Sequence, residues 1–239
     1  WLTLTGLTPQ YEYAYQYYID GELKIADAYA EKVLDPWNDQ YISSSIYPNP
    51  KPYPSAYTDG VVSIFQTARP AYNWQVPNFI PPAINNAQSD LVIYELLIRD
   101  FIETHSISDV QQKLDYLKNL GVNAIELMPI AEFDGNESWG YSTNFFFASD
   151  KYYGTRDAYK AFIDAAHQRG IAVILDIVPN HSFGLNPMVK MYFNSGANQP
   201  SEHNPWFNQQ SPHGYSVGYD FNHESGHTRQ FFKDVFQYW

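Results

Sequence analysis

Ala172-Val-Ile-Leu-Asp-Ile-Val-Pro-Asn-His181 decides how this chain folds. It starts as an apolar run and ends in three polar groups, Asp176, Asn180 and His181. A short run of Ala, Val, Ile and Leu between Gly170 and Pro179 predicts a strand buried on both faces, as in a parallel sheet. Polar groups where such a strand runs out sit where open sheets and barrels carry their chemistry. A plainer alternative stands beside this one, in which Asp176 caps a loop and His181 is a satisfied loop histidine.

The flanking sequence repeats the strand in alternation with helices. Leu91–Leu97 and Asn123–Met128 read as two further buried strands. Between them, Ser108 with Gln111 predicts a capping box. Val110, Leu114 and Leu117 mark one helical face, and Gly121 ends the helix. Thr155 is the expected N-cap of the next helix, with Tyr159, Phe162, Ile163 and Ala166 at helical spacing before Gly170. A last helix is expected from Thr228 to Trp239, with Phe231, Phe232, Val235 and Trp239 inward. Alternating β and α elements imply a parallel sheet, open or closed. No Gly-x-Gly-x-x-Gly follows any strand, which weighs against dinucleotide binding. The loops after the second and third strands run to about 25 and 50 residues, where about 2 to 6 is typical, whereas the helix-to-strand loops are short. Long loops confined to one rim favour a (β/α) barrel with an elaborated active face.

Composition narrows the partners. A net charge of -12 argues against nucleic acid and against anionic membrane surfaces. No stretch approaches the roughly 18 consecutive apolar residues of a membrane-spanning helix, so no membrane insertion is expected. There are no cysteines, which removes disulfides and thiol chemistry and leaves cytoplasmic and extracytoplasmic settings both open. The 21 Tyr, 15 Phe and 6 Trp supply rings able to stack on sugars, although a core and β-sheets rich in aromatics account for most of them.

The N-terminal third reads differently. Tyr11, Tyr13, Tyr15 and Tyr17 recur with period two before Asp20-Gly21, a strand followed by a hairpin turn. Residues 1–35 therefore read as the end of a β-sandwich-like domain. Residues 36–90 are an extended, proline-broken connector with a short strand candidate at Val61–Phe65, and residues 91–239 are the α/β part. The chain begins with Trp1 rather than Met, so Trp1 is not expected to be the native start.

Four motifs in order carry a resemblance. They are Glu126-Leu-Met-Pro129, Trp139-Gly-Tyr-Ser-Thr-Asn-Phe-Phe-Phe-Ala-Ser-Asp150 with Lys151-Tyr-Tyr-Gly-Thr155, Asp176-Ile-Val-Pro-Asn-His181, and Asp220-Phe-Asn-His-Glu-Ser225. Together they resemble the α-amylase family of glycoside hydrolases over residues 91–239. Pro179 and Phe221 are small departures. Gly6-Leu-Thr-Pro9, Asp20-Gly21 and Asp27-Ala-Tyr-Ala30 resemble the end of the β-sandwich that precedes the barrel in branching and debranching members.

The resemblance implies a (β/α)8 TIM barrel of which the first three β/α units are present. It also implies a substrate that is an α-glucan (starch, glycogen or maltooligosaccharides) and roles for particular residues. Tyr141 would stack under a sugar ring, and His181 would hydrogen-bond that sugar's primary hydroxyl. Asp176 would organise the site by pairing with an arginine beside the nucleophile. Trp139 would shape the cleft or merely pack, with packing favoured. Asn180 and Asp220 would be oxygen ligands of a Ca²⁺ ion or, the favoured reading, hydrogen-bonded loop anchors. No other cofactor is required. His105 and Glu126 are read as structural.

Retaining hydrolysis needs two carboxylates about 5 to 5.5 Å apart. In this family the nucleophile stands in an Arg-x-Asp context, and the sequence has no Arg-x-Asp. Residues 91–239 make 149 residues, against about 250 for a barrel. The expectation is a part of a larger α-glucan-active hydrolase, inactive alone, whose partner is the remainder of its own barrel. The alternatives are a branching enzyme, a non-catalytic glucan-binding protein and, more weakly, an unrelated open α/β binding protein.

Overall fold

The computed structural model describes residues 3–82 and 90–239; residues 83–89 of the expected connector lie outside them. The N-terminal part holds β1 (Glu12–Tyr15), β2 (Tyr17–Ile19), β3 (Leu23–Ile25), β4 (Val33–Leu34) and β5 (Val62–Gln66). β2 and β3 form the expected hairpin, and its turn residues Asp20 and Gly21 both have positive φ (53° and 75°), as a two-residue turn of the primed type requires. β1, β5 and β4 form an antiparallel sheet in that order. Its central strand thus comes from the proline-broken stretch, at the Val61–Phe65 candidate.

The rest of the chain contains β6 (Ile93–Leu96), α1 (Ile98–Phe101), α2 (Ile107–Gln111), α3 (Leu114–Asn119), β7 (Ala124–Leu127), β8 (Ala131–Phe133), β9 (Thr143–Ser149), α4 (Arg156–Gln168) and β10 (Ala172–Leu175). It continues through β11 (His181–Ser182), α5 (Pro187–Met191), β12 (Phe193–Asn194), β13 (Gln199–Pro200), β14 (Tyr219–Asp220) and α6 (Gly226–Tyr238). β6, β7 and β10 make a parallel sheet in the order β10-β7-β6, with Leu96, Leu127 and Leu175 in register at its C-terminal end.

Strand alternation sorts the side chains. Leu96, Ile125 and Leu127 share one buried core with Ile107, Val110, Leu114, Leu117, Tyr159, Phe162 and Ala166 from the helices, and Val173 and Leu175 pack against it. The same register puts Glu95, Glu126 and Ile174 side by side on the opposite face. β10 was expected to be buried on both faces. It lies instead at a sheet edge with Val173, Ile174 and Leu175 only half-buried, and β6 is likewise an edge, with Ile93 47% exposed. The strand flanked on both sides is β7, in which Ala124, Ile125 and Leu127 are fully buried. An apolar run records the faces of a strand and not its place in the sheet order.

The helix boundaries follow docking more than capping signals. The Ser108 capping box does not form. α2 starts at Ile107 after Ser106, which makes no side-chain cap bond, and the Ile107 N–H donates to Tyr153 O at 2.9 Å. Ile107 is completely buried, so its seat in the core fixes where the helix begins. Thr155 does cap α4, its hydroxyl oxygen accepting from Ala158 N at 3.1 Å. α6 begins at Gly226, capped by Ser225, and buries Phe231, Phe232 and Val235 against Phe146 and Phe221. Trp239 was expected inward. Its ring is 36% exposed, and its indole N–H donates to Phe146 O at 2.8 Å.

The hairpin β8–β9 lies over the C-terminal end of the sheet and is locked to the connector by charge. The Lys151 ammonium sits against the Glu132 carboxylate and 3.3 Å from Asp39 Oδ1, with side-chain exposures of 5%, 10% and 21% respectively. Asp150 is buried beside them and accepts from Tyr152 N and Phe133 N. Among the described residues, no helix is long and apolar enough to cross a membrane.

Candidate active site

The C-terminal ends of β6, β7 and β10 form a rim, and Asp176 is the first residue beyond β10. Its N–H continues the ladder to Leu127 O at 3.0 Å, which fixes where its carboxylate leaves the sheet. Tyr141 arrives from the loop joining β8 to β9, and its hydroxyl donates to Asp176 Oδ2 at 2.7 Å. His181 arrives on β11, and its Nε2 lies 2.7 Å from the backbone carbonyl of Tyr141, to which it donates. Three residues separated by up to 40 positions thus meet at one corner of the rim.

Each is held from behind. Ser182, next to His181, donates its hydroxyl to Thr143 O at 2.7 Å and accepts from Asn186 Nδ2 at 2.9 Å, tying β11 to β9. The His181 ring packs edge-on against Phe183, and its Nδ1 is buried without a partner among the described residues. Gly140 precedes Tyr141 at φ 95°, and a Cβ there would stand 2.3 Å from Pro129 O, so this close approach of two backbones requires glycine.

The local field is acidic. The Tyr141 hydroxyl is pushed up to about 12, first by its hydrogen bond to Asp176, then by burial and by the charges of Asp176, Glu95 and Glu126. It therefore stays a donor throughout the physiological range. Glu95 and Glu126 come from neighbouring strands in register. The sequence reading missed them as site groups: Glu126 was read as structural and Glu95 was not singled out. The signal was their shared position, counted back from Leu96 and Leu127 at the two strand ends.

The other expected site residues lie further out. Trp139 was expected to pack, but its ring is 61% exposed at the loop tip. Asn180 is exposed, and its carbonyl accepts from Phe221 N at 2.9 Å. Asp220 pairs with His181 in the β11–β14 ladder. Its carboxylate accepts from Asn208 Nδ2 at 2.7 Å through one oxygen and lies 3.1 Å from His213 Nε2 through the other. With both Asp220 oxygens engaged by side-chain nitrogens, the pair fits a loop anchor and does not fit a calcium site. Among the described residues no group of three or more His, Cys, Asp or Glu is placed to hold a metal ion. His105 bonds the Tyr152 hydroxyl at 2.8 Å, a structural role.

Residues 101–239 match the family model for the α-amylase catalytic domain. The malto-oligosyltrehalose trehalohydrolase of Saccharolobus solfataricus is 34% identical over 193 residues, covering 80% of this chain and 31% of that protein. The chloroplastic isoamylase 1 of Oryza sativa is 32% identical over 240 residues, covering 87% of this chain and 28% of that protein. The chain thus spans about a third of the length of these relatives. Among solved structures, a chain from Salmonella typhimurium superposes over 99% of this one with a TM-score of 0.70 at 24% identity, covering 33% of that chain, a likeness of fold. A maltogenic α-amylase from Thermotoga neapolitana covers 64% of this chain and is itself covered to 36%, with a TM-score of 0.52 and 25% identity.

Proposed function

The chain belongs to the α-amylase family, and on that premise we propose that it forms the first three β/α units of a (β/α)8 barrel and supplies one half of a retaining α-glucan hydrolase site. The observation that carries the reading is the Tyr141–Asp176 hydrogen bond at the C-terminal rim, with His181 holding the Tyr141 carbonyl. In this reading residues 1–35 are the end of a preceding β-sandwich, joined to the barrel by residues 36–90.

The chemistry follows from the rim. A tyrosine fixed through its hydroxyl presents a ring face, and a ring face stacks on the apolar face of a glucosyl unit. Asp176 accepts from Tyr141 and keeps a second oxygen for a guanidinium or a sugar hydroxyl. His181 fixes the Tyr141 backbone, and a sugar's primary hydroxyl would share its Nε2. Glycoside cleavage passes through a cationic, oxocarbenium-like transition state, which the negative field of Asp176, Glu126 and Glu95 favours. The nucleophile and the acid/base are assigned to neither Asp176 nor the two glutamates. Glu126 and Glu95 lie within the strands, not beyond their ends, and Asp176 is committed to Tyr141. The relatives named above act on α-linked glucans by their names, and bond type follows none of these residues.

The reading predicts binding without turnover. The pure 239-residue protein incubated with amylose is expected to release no reducing sugar. Turnover that survives Asp176→Asn would place the catalytic pair on residues other than those of this rim and refute the reading.

A further inference from the structure

The most exposed tyrosines lie away from the rim. Tyr57 is 81% and Tyr18 62% exposed, and both line one groove of about 320 Å³ between the β2–β3 hairpin and the turn around Pro54. Gln16, Lys24 and Thr58 complete its polar edge, and no carboxylate lines it. It shares no residue with the Tyr141–Asp176–His181 site.

The groove is built, not incidental. Lys24, opposite Tyr18 across the hairpin, donates from Nζ to Tyr57 O at 3.1 Å and so fastens the turn to the hairpin. Tyr53 donates to Gly60 O at 2.6 Å, and Gln16 Nε2 donates to Val61 O at 2.8 Å. Tyr18 is tethered at its hydroxyl to Gly21 O, which leaves its ring face uncovered. Two free ring faces beside amide, hydroxyl and ammonium groups suit a ligand with apolar ring faces and hydroxyl edges. The volume lies at the lower end of small-ligand sites. A single lysine in a chain of net charge -12 gives no footprint for nucleic acid.

We propose that this groove is a second carbohydrate-binding site, which takes a short segment of α-glucan on the rings of Tyr18 and Tyr57. The ligand class rests on the functional reading above, and the groove itself does not. A glucan held here stays on the protein while another of its segments occupies the rim.

The test is calorimetric titration of maltohexaose into the full chain and two variants. One is Tyr141→Ala/Asp176→Asn, in which only the groove remains. The other is Tyr18→Ala/Tyr57→Ala, in which only the rim remains. Both groove tyrosines are exposed, and circular dichroism checks that the fold is kept. The first variant is expected to retain binding, and adding the groove substitutions to it to weaken that binding at least about tenfold. Binding by the first variant that ignores the groove substitutions overturns the proposal. So does complete loss of binding in the first variant, which leaves the rim reading intact. Binding in the wild type that depends on the groove alone supports the proposal and removes the rim reading.

Discussion

Replacing Lys151 with methionine is expected to cost about 3–5 kcal/mol of folding stability, the penalty for leaving buried charge without its partner. Lys151 is the only cation among Glu132, Asp39 and Asp150, and Glu132 Oε2 already lacks a hydrogen-bond partner. Burial pushes all three carboxyls upward, Asp150 to about 7, while the Lys151 charge pulls them back. Lys151 itself is held charged by the same carboxylates against its own burial.

The pH dependence follows. Carboxyls raised in the folded state hold protons that the unfolded chain releases near pH 4. Their stabilising contribution is complete below about pH 4 and is lost as pH rises through about 7, the Asp150 value. In Lys151→Met the carboxyls can escape their penalty only by protonation, so the loss is expected to be larger at pH 8 than at pH 5. Urea unfolding at the two pH values measures it. Lys151→Met/Glu132→Leu is expected to recover much of the stability, because an apolar pair can replace a buried ion pair at little net cost. An equal and small loss at both pH values would mean that the cluster does not lock the hairpin.

Gly140→Ala is the second large effect and acts on the site directly. The new Cβ meets Pro129 O at 2.3 Å and Pro129 Cβ at 2.8 Å, against backbone and a rigid ring, neither of which can swing away. The left-handed backbone alone adds about 1–3 kcal/mol of strain. Relief requires the loop to lift, which takes the Tyr141 hydroxyl off Asp176. Gly214→Ala serves as the control, since nothing stands within 4 Å of a Cβ there. Thermal melting is expected to fall by several degrees in Gly140→Ala and by little in Gly214→Ala, with maltotriose binding lost only in the former. Unchanged melting and binding in Gly140→Ala would remove this glycine from the account.

Much of the architecture was written locally and so was readable. The α4 face of Tyr159, Phe162 and Ala166, the Thr155 cap and the Asp20-Gly21 turn depend on residues a few positions apart. The Asp176–His181 segment was readable because a polar cluster at the end of an apolar strand has one place to go. What was not readable depends on assembly. β10 and β7 look alike in sequence, but sheet order leaves β10 at an edge. The Ser108 signal yielded to the burial of Ile107. Trp139 reads as a packing residue by composition, yet it stands at a loop tip. The Lys151 lock joins Asp39 to Glu132, residues far apart with no shared pattern, and the Gly140–Pro129 approach exists only once the hairpin folds back over the rim.

The most direct measurement of the central claim is an NMR titration of the isotopically labelled chain with maltotriose. Saturable shifts are predicted at Tyr141, Asp176 and His181, and Asp176→Asn is predicted to abolish them while leaving the spectrum of the helices unchanged. Shifts that leave these three residues untouched, or that persist in Asp176→Asn, would contradict the assignment of this rim as the glucan site.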